Sequence, residues 1–188
     1  FFHASSGGRT EAVGAVWPLI GFPYLRGVPV PRERGDPAQA WRAAVGLGAF
    51  RRALARSGRY VGRIRSVTVV GRTASGRASR VRVDHRGGRL TVRAALLRRV
   101  LGYTRVRSTL FRIERNRDVL TFRGRGYGHG VGMSQQGARL LAEGGKTYTE
   151  ILAFFYPGTS LQRAEEAAFP DAELLVPQEI DDLSLLLR

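Results

Sequence analysis

Alternation of apolar and polar residues dominates residues 60–124. Val81 and Val83 alternate with arginines, a period of two that is typical of a strand with one buried and one wet face. Arg86-Gly87-Gly88 suits a tight turn between two such runs, and Arg115-Asn116-Arg117-Asp118 suits a second turn. The pattern therefore predicts antiparallel hairpins in this part of the chain.

Helix signals flank the predicted strands. Asp36-Pro37-Ala38-Gln39 combines an N-cap residue, a proline in the first turn and a capping-box glutamine. It predicts a helix that runs through Trp41 to about Leu54, although Gly46 and Gly48 weaken its middle. Shorter helices are predicted over residues 96–101, 134–143 and 149–155. Prolines divide residues 1–31 into loops and short extended pieces. Together these elements predict an α+β fold dominated by an antiparallel sheet.

Length and composition fit one domain. The chain has 188 residues, of which 43% are hydrophobic, close to the usual globular share. No apolar run approaches the roughly 18 residues that a membrane span needs, so no span is expected. We predict a domain over residues 1–162 and an acidic tail of uncertain order over residues 163–188. The chain begins at Phe1 without a signal peptide, which predicts a fragment or a processed product.

The charge is strongly positive. Lys and Arg number 31 against 15 Asp and Glu, a formal net charge of +16. Residues 1–162 carry +21 and residues 163–188 carry −5. Such a surface attracts polyanions at low salt. The hypothesis of a nucleic-acid binder rests on this charge alone. Cysteine is absent, which excludes disulfides and thiolate zinc sites.

The most informative segment is residues 124–138, GRGYGHGVGMSQQGA. Glycine occupies every second position from 124 to 132, a series that we call the glycine ribbon. Alternate glycines do not suit a strand, because they strip one face of side chains. They suit positive-φ turns, or another surface lying flat against the backbone. The period of two does not match the dinucleotide-binding G-x-G-x-x-G, and the P-loop pattern fails at Leu140.

The same segment carries a resemblance to a known family. Residues 122–138 resemble the signature of the SpoIID/LytB family. Ile151-Leu152 with Phe155-Tyr156-Pro157-Gly158-Thr159 resembles its closing motif, and residues 2–11, FHASSGGRTE, resemble its serine-glycine segment. The resemblance covers about residues 1–162.

The resemblance implies action on peptidoglycan. Some members are lytic transglycosylases, which cleave the bond between MurNAc and GlcNAc in strands stripped of stem peptides and leave a 1,6-anhydro-muramoyl end. Others enhance an N-acetylmuramoyl-L-alanine amidase without catalysis. The family's catalytic Glu is expected upstream of the serine-glycine segment, outside this chain. The location implied is extracytoplasmic: cell wall, periplasm or the space around a forespore.

Candidate site residues come from these matched motifs. We predict substrate contacts at Tyr127, Gly128, His129, Gly130, Gly132, Ser134, Gln135 and Gln136, and at Ser5, Ser6, Gly7, Gly8, Thr10 and Glu11. Glu11 is the candidate for a catalytic carboxyl group, and a structural carboxylate paired with an arginine is the competing interpretation.

Three residues, Ser134, Arg77 and His3, have alternative roles. Ser134 suits a helix N-cap as well as a site, and Arg77 is a candidate for binding a lactyl carboxylate. Some family members bind zinc through His and Cys. Only His3 stands in that region here, so no metal and no cofactor is expected. The predicted partners are glycan strands and an amidase, with no specific nucleic acid.

Overall fold

The computed structural model describes residues 1–31 and 35–162, and the acidic tail lies outside these residues. Its strands are β1 (Phe2–His3), β2 (Trp41–Gly46), β3 (Ile64–Arg72), β4 (Ala78–His85), β5 (Gly88–Arg93), β6 (Phe111–Asn116), β7 (Val119–Gly124) and β8 (Met133–Ser134). Its helices are α1 (Val13–Val16), α2 (Leu47–Ala55), α3 (Ala94–Leu101), α4 (Gln135–Glu143) and α5 (Tyr148–Phe155). The α+β prediction is confirmed.

Two antiparallel sheets of three strands form the body of the described structure. One has the order β3-β4-β5, and the other has the order β2-β7-β6. Both predicted hairpins are present, with His85 opposite Gly88 in the first and Asn116 opposite Val119 in the second. A third, two-stranded sheet pairs β1 with β8 in parallel. It joins the first residues of the chain to the segment just before α4.

The helix predicted from Asp36 through Trp41 is wrong in its first half. Residues 41–46 form strand β2, whose side chains alternate between buried and exposed, and the helix begins only at Leu47. Trp41, Ala43 and Val45 have the period of a strand, and antiparallel pairing with β7 overrides the local helix signal. Asp36 still caps a turn, since its carboxylate accepts a hydrogen bond from the Ala38 amide at 2.8 Å.

The main core packs the two three-stranded sheets together with α2 and α3. Phe50, Leu54, Val81, Leu97 and Phe122 are among its fully enclosed members. Two smaller clusters stand apart from it. One centres on Val13, Leu25 and Val131, and the other on Val30, Ile151 and Phe155. The glycine ribbon crosses between the main core and these satellites. Among the described helices, none is long and apolar enough to cross a membrane.

Candidate functional site

The glycine ribbon lies against residues 1–11, the N-terminal segment. The Ser5 amide donates to the Tyr127 carbonyl oxygen at 3.1 Å, and the Tyr127 amide donates back to the Ser5 oxygen at 2.9 Å. Further along, the Glu11 amide donates to the Gly130 carbonyl oxygen at 2.8 Å. The two motifs that carry the family resemblance therefore form one backbone-paired unit, although more than a hundred residues separate them in the chain.

The alternating glycines are required by this packing. A Cβ atom at Gly128 would lie 2.6 Å from Cβ of His3, and one at Gly130 would lie 2.6 Å from Cζ of Arg77. A Cβ at Gly132 would lie 2.1 Å from the Phe1 carbonyl oxygen, closer than any side chain tolerates. These three glycines also have φ of +118°, +91° and +73°, a region that favours glycine. The surface that lies flat against the ribbon is thus the protein's own.

Glu11 and Arg77 form a buried polar network behind the ribbon. The Glu11 side chain is 3% exposed, and its Oε2 accepts from Thr73 Oγ1 at 2.5 Å and from Ser75 Oγ at 2.8 Å. Arg77, 1% exposed, donates to the carbonyl oxygen of Ser6 at 2.7 Å. The network accounts for the buried glutamate of the motif, because each buried charge has hydrogen-bonding partners.

Arg77 is therefore not placed to bind a substrate carboxylate. Its guanidinium donates to the Arg9 carbonyl oxygen at 2.9 Å and to Ser75 Oγ at 3.1 Å, besides the contact with Ser6. A buried guanidinium that bonds backbone carbonyls fastens the N-terminal segment to the sheet. That is a structural role, and it replaces the predicted binding of a lactyl carboxylate by Arg77.

Two histidines meet at the ribbon. The rings of His3 and His129 lie 5.8 Å apart between centroids, and Trp17 lies 5.2 Å from His129. Burial, helped by the positive charge of Arg77, lowers the pKa of His3 to about 3. Burial and the charge of Arg98 lower the pKa of His129 to about 4. Both rings are therefore neutral near pH 7, and neither is a cation for binding an anionic sugar.

The residues here do not fit a zinc site. His3 lies against the Val131 carbonyl oxygen through Nδ1, at 3.1 Å. Zinc needs three or four Cys, His or carboxylate ligands. Within residues 1–31 and 35–162, no group of three or more His, Asp or Glu side chains is arranged to hold a metal ion.

An open pocket lies beside the ribbon on the side of Tyr127. Its volume is about 360 Å³, and it is lined by Ala4, Asp36, Pro37, Ala38, Thr104, Arg107, Tyr127 and Gln136. The Arg107 guanidinium carbon lies 5.9 Å from the centre of the Tyr127 ring. Asp36 is held in place by Ser5, whose Oγ donates to Oδ2 at 2.5 Å. We call this the tyrosine pocket.

The structure divides the predicted site residues into two groups. The accessible group comprises Gly8, Tyr127, Gly128, His129, Gln135 and Gln136. The buried group comprises Ser5, Ser6, Gly7, Thr10, Glu11, Gly130, Gly132 and Ser134. Ser134 accepts from the Gly137 amide at 3.2 Å as the N-cap of α4. Only Tyr127 and Gln136 of the predicted residues line the tyrosine pocket.

Sequence reasoning missed Asp36, Thr104 and Arg107 as lining residues of the pocket. Asp36 was assigned to a helix start, which hid its second role. No sequence signal separates Arg107 from the many other arginines. The pocket forms only where the turn at residue 36, the loop after α3 and the ribbon converge.

Comparison with known proteins gives matches over most of the chain. The family model described as Domain of unknown function (DUF8618) matches residues 34–132. Stage II sporulation protein D of Bacillus subtilis (strain 168) is 30% identical over 169 residues, which cover 87% of this chain and 45% of that protein. An uncharacterised protein of Brachyspira hyodysenteriae (strain ATCC 49526 / WA1) is 29% identical over 161 residues, 86% of this chain and 42% of that protein.

A shorter match is stronger per residue. The amidase enhancer of Bacillus subtilis (strain 168) is 44% identical over 72 residues, which cover 38% of this chain and 10% of that protein. The chain thus spans about half the length of stage II sporulation protein D and a tenth of the amidase enhancer.

Proposed function

The chain belongs to the SpoIID/LytB family and, over residues 34–132, to the domain of unknown function DUF8618, and from this premise we propose that it binds glycan strands of peptidoglycan and serves their cleavage as a SpoIID-type lytic transglycosylase. A cell-wall role of this family agrees with the names of the relatives. The observation that carries the proposal is the open tyrosine pocket, built where the two family motifs meet.

The pocket has the chemistry that a sugar ring needs. An aromatic ring presents an apolar face and a polar tip, and Tyr127 is half-buried with its ring at the pocket wall. Gln136 offers an amide, Thr104 a hydroxyl and Arg107 a guanidinium, which together supply donors and acceptors for sugar hydroxyls. We assign strand binding to these side chains.

Cleavage requires one carboxyl group of suitable pKa. It protonates the departing glycosidic oxygen, then as a base takes the proton of the C6 hydroxyl that attacks the anomeric carbon. Two carboxylates of the described chain come into question. Glu11 is enclosed by Thr73, Ser75 and the Ala12 amide, and Asp36, which lines the pocket, is held by Ser5 and Ala38. Both have structural partners. We therefore assign the acid to the glutamate that the family carries upstream of the serine-glycine segment.

The second candidate function is enhancement of an N-acetylmuramoyl-L-alanine amidase without catalysis. The 44% identity to an amidase enhancer over 72 residues favours it. Both functions use the same strand-binding surface. Both also require an extracytoplasmic location, which we propose for this protein.

Binding to glycan strands tests the proposal. The wild-type protein should sediment together with denuded strands. Tyr127→Ala or Gln136→Ala should each raise the dissociation constant about tenfold, a loss of about 1.4 kcal/mol of binding free energy. Tyr60→Ala is the matched control, because Tyr60 is 82% exposed and does not line the pocket. It should bind like the wild type. Absence of wild-type binding would overturn the proposal.

Product analysis separates the two functions. Mass spectrometry of denuded strands after incubation with a longer polypeptide that includes the upstream glutamate should reveal 1,6-anhydro-muramoyl ends if the protein is a transglycosylase. A faster release of stem peptides from intact peptidoglycan by added amidase, with no anhydro ends, would favour the enhancer instead.

A further inference from the structure

Three arginines stand side by side on the sheet β2-β7-β6. Arg42 on β2 lies directly opposite Arg123 on β7, which lies directly opposite Arg112 on β6. Directly opposed residues of neighbouring strands point to the same face of a sheet. Like charges at such positions repel one another and destabilise the sheet. We call these residues the arginine row.

The protein neutralises the arginine row only in part. Glu114 pairs with both Arg112, at 3.0 Å, and Arg123, at 2.9 Å, and the bond from Arg123 is the main cause that lowers the pKa of its carboxyl group. Arg42 is exposed, and no carboxylate of residues 1–31 or 35–162 lies within ion-pair distance of it. One carboxylate therefore faces three guanidinium groups.

The arginine row borders a groove of about 490 Å³. Two further arginines, Arg72 and Arg125, complete a lining that contains no acidic side chain among the described residues. Arg72 is anchored, since it donates to the carbonyl oxygens of Gly76 at 2.7 Å and Phe111 at 3.2 Å. We call this the arginine groove. A guanidinium binds planar anions through two parallel hydrogen bonds, so the groove suits a carboxylate.

The arginine groove lies next to the tyrosine pocket along two chain segments. Pro37 and Ala38 line the pocket, and the next residues along the chain, Gln39 and Ala40, line the groove. On the facing segment Tyr127 lines the pocket, and Arg125 lines the groove. The two segments are bonded between the sites, because the Gly126 amide donates to the Ala38 carbonyl oxygen at 2.8 Å. A polymer seated in the pocket therefore has the groove next to it.

We propose that the arginine groove binds the lactyl carboxylates of glycan strands from which the stem peptides have been removed. The inference rests on the proposed function and names the group that the strand-binding surface recognises. Removal of a stem peptide converts the neutral amide at the lactyl group into a free carboxylate. A charge-assisted hydrogen bond to this group is about twice as strong as a neutral one, so the groove favours denuded strands at each muramoyl residue.

The test combines altered strands with altered arginines. Denuded strands are compared with the same strands whose carboxylates have been converted to methylamides by carbodiimide coupling. The wild-type protein should bind the methylamide strands at least tenfold more weakly. Arg42→Gln and Arg123→Gln should each weaken binding of the untreated strands several-fold and change binding of the methylamide strands little. Arg52→Gln is the matched control, since Arg52 is an exposed arginine on α2 outside the groove.

The outcomes separate the inference from the proposed function. If the wild type binds both kinds of strand equally, the inference fails and strand binding stands. If it binds neither, both fail. A third arm uses poly(glycerol phosphate): variants that lose this polymer but keep the denuded strands would overturn the inference in favour of a phosphate-bearing wall polymer. Arg42→Gln should fold normally, because it relieves repulsion within the row, and circular dichroism with thermal melting verifies this.

Discussion

At the level of single residues, the ribbon glycines are explained by close approaches within the protein. Gly126 has φ of +76° and would place a Cβ 2.9 Å from the Ser5 carbonyl oxygen. Gly124 lacks a positive φ, but a Cβ there would lie 2.2 Å from the Trp41 ring. Every second residue is glycine because one side of the ribbon is covered by the N-terminal segment and the sheet. The opposite residues, such as Tyr127 and His129, remain free to carry side chains.

Gly130→Ala tests how much of this requirement is steric. Gly130 and Gly102 have nearly the same φ, +91° and +95°, but a Cβ at Gly102 would have nothing within 4 Å. Gly102→Ala should cost about 1–2 kcal/mol of the free energy of unfolding, from backbone strain alone. Gly130→Ala should cost clearly more, about 3 kcal/mol or above, because Arg77 must also move. Urea unfolding measures both, and equal costs would contradict the packing argument.

At this scale the sequence motifs indicate candidate residues but not the contacts that these residues make. The serine-glycine segment and the ribbon were recognised as important from their motifs. Which side of each residue faces outward was not predictable, because it depends on pairing between segments more than a hundred residues apart. Glu11 illustrates this. Its partners, Thr73 and Ser75, lie in a turn with no sequence link to it.

At the level of elements, Ser134 decides how the ribbon passes into α4. Its Oγ accepts from the Gly137 amide, and its own side chain is fully buried. The sequence predicts two roles for Ser134, a helix N-cap and a site residue. The structure shows the cap, and the site role stays a prediction.

Ser134→Ala distinguishes the two roles. Loss of the cap should lower the free energy of unfolding by about 1 kcal/mol, with glycan binding unchanged when measured well below the melting temperature. Thr147→Ala is the control, because Thr147 caps α5 through a capping box away from the pocket and should cost a similar amount. A loss of strand binding in Ser134→Ala, without one in Thr147→Ala, would instead assign Ser134 to the site.

Local elements were predictable and the paired strand β2 was not. The hairpins β4-β5 and β6-β7 have short turns, so neighbouring residues in the chain determine their ladders. Strand β2 instead pairs with β7, with Trp41 opposite Gly124. A helix-start signal at Asp36 therefore outweighed the true period of two at Trp41, Ala43 and Val45.

At the level of the whole molecule, the N-terminal segment closes the structure. It pairs with β8 at Phe2 and His3, with Tyr127 through Ser5, and with Val131 through Glu11. The tyrosine pocket and the buried Arg77 depend on this closure, because Ser5 holds Asp36 and Arg9 accepts from Arg77. The stability of the closure is thus a condition for the proposed site.

The buried His3 and the half-buried His129 make this stability depend on pH. Both have a pKa well below the usual 6.5, about 3 for His3 and about 4 for His129, because burial disfavours the charged ring. The unfolded chain takes up protons below pH 6.5 while the folded chain does not. The free energy of unfolding therefore rises with pH through this range and decreases as the pH falls.

Urea unfolding between pH 6.5 and 5 measures the effect before most carboxylates titrate. Below about pH 6 the buried His3 should remove up to about 1.4 kcal/mol per pH unit. The half-buried His129 should remove somewhat less, because solvent screens its charge, so the wild type should lose roughly 2 kcal/mol per unit from the pair. His3→Gln should halve this slope, even though its stability at pH 7 also falls. His129→Gln should do the same, since its ring has the same cause of a lowered pKa. A free energy of unfolding that stays constant over this range would show that the rings are protonated in the folded protein, and the closure would then be looser than described.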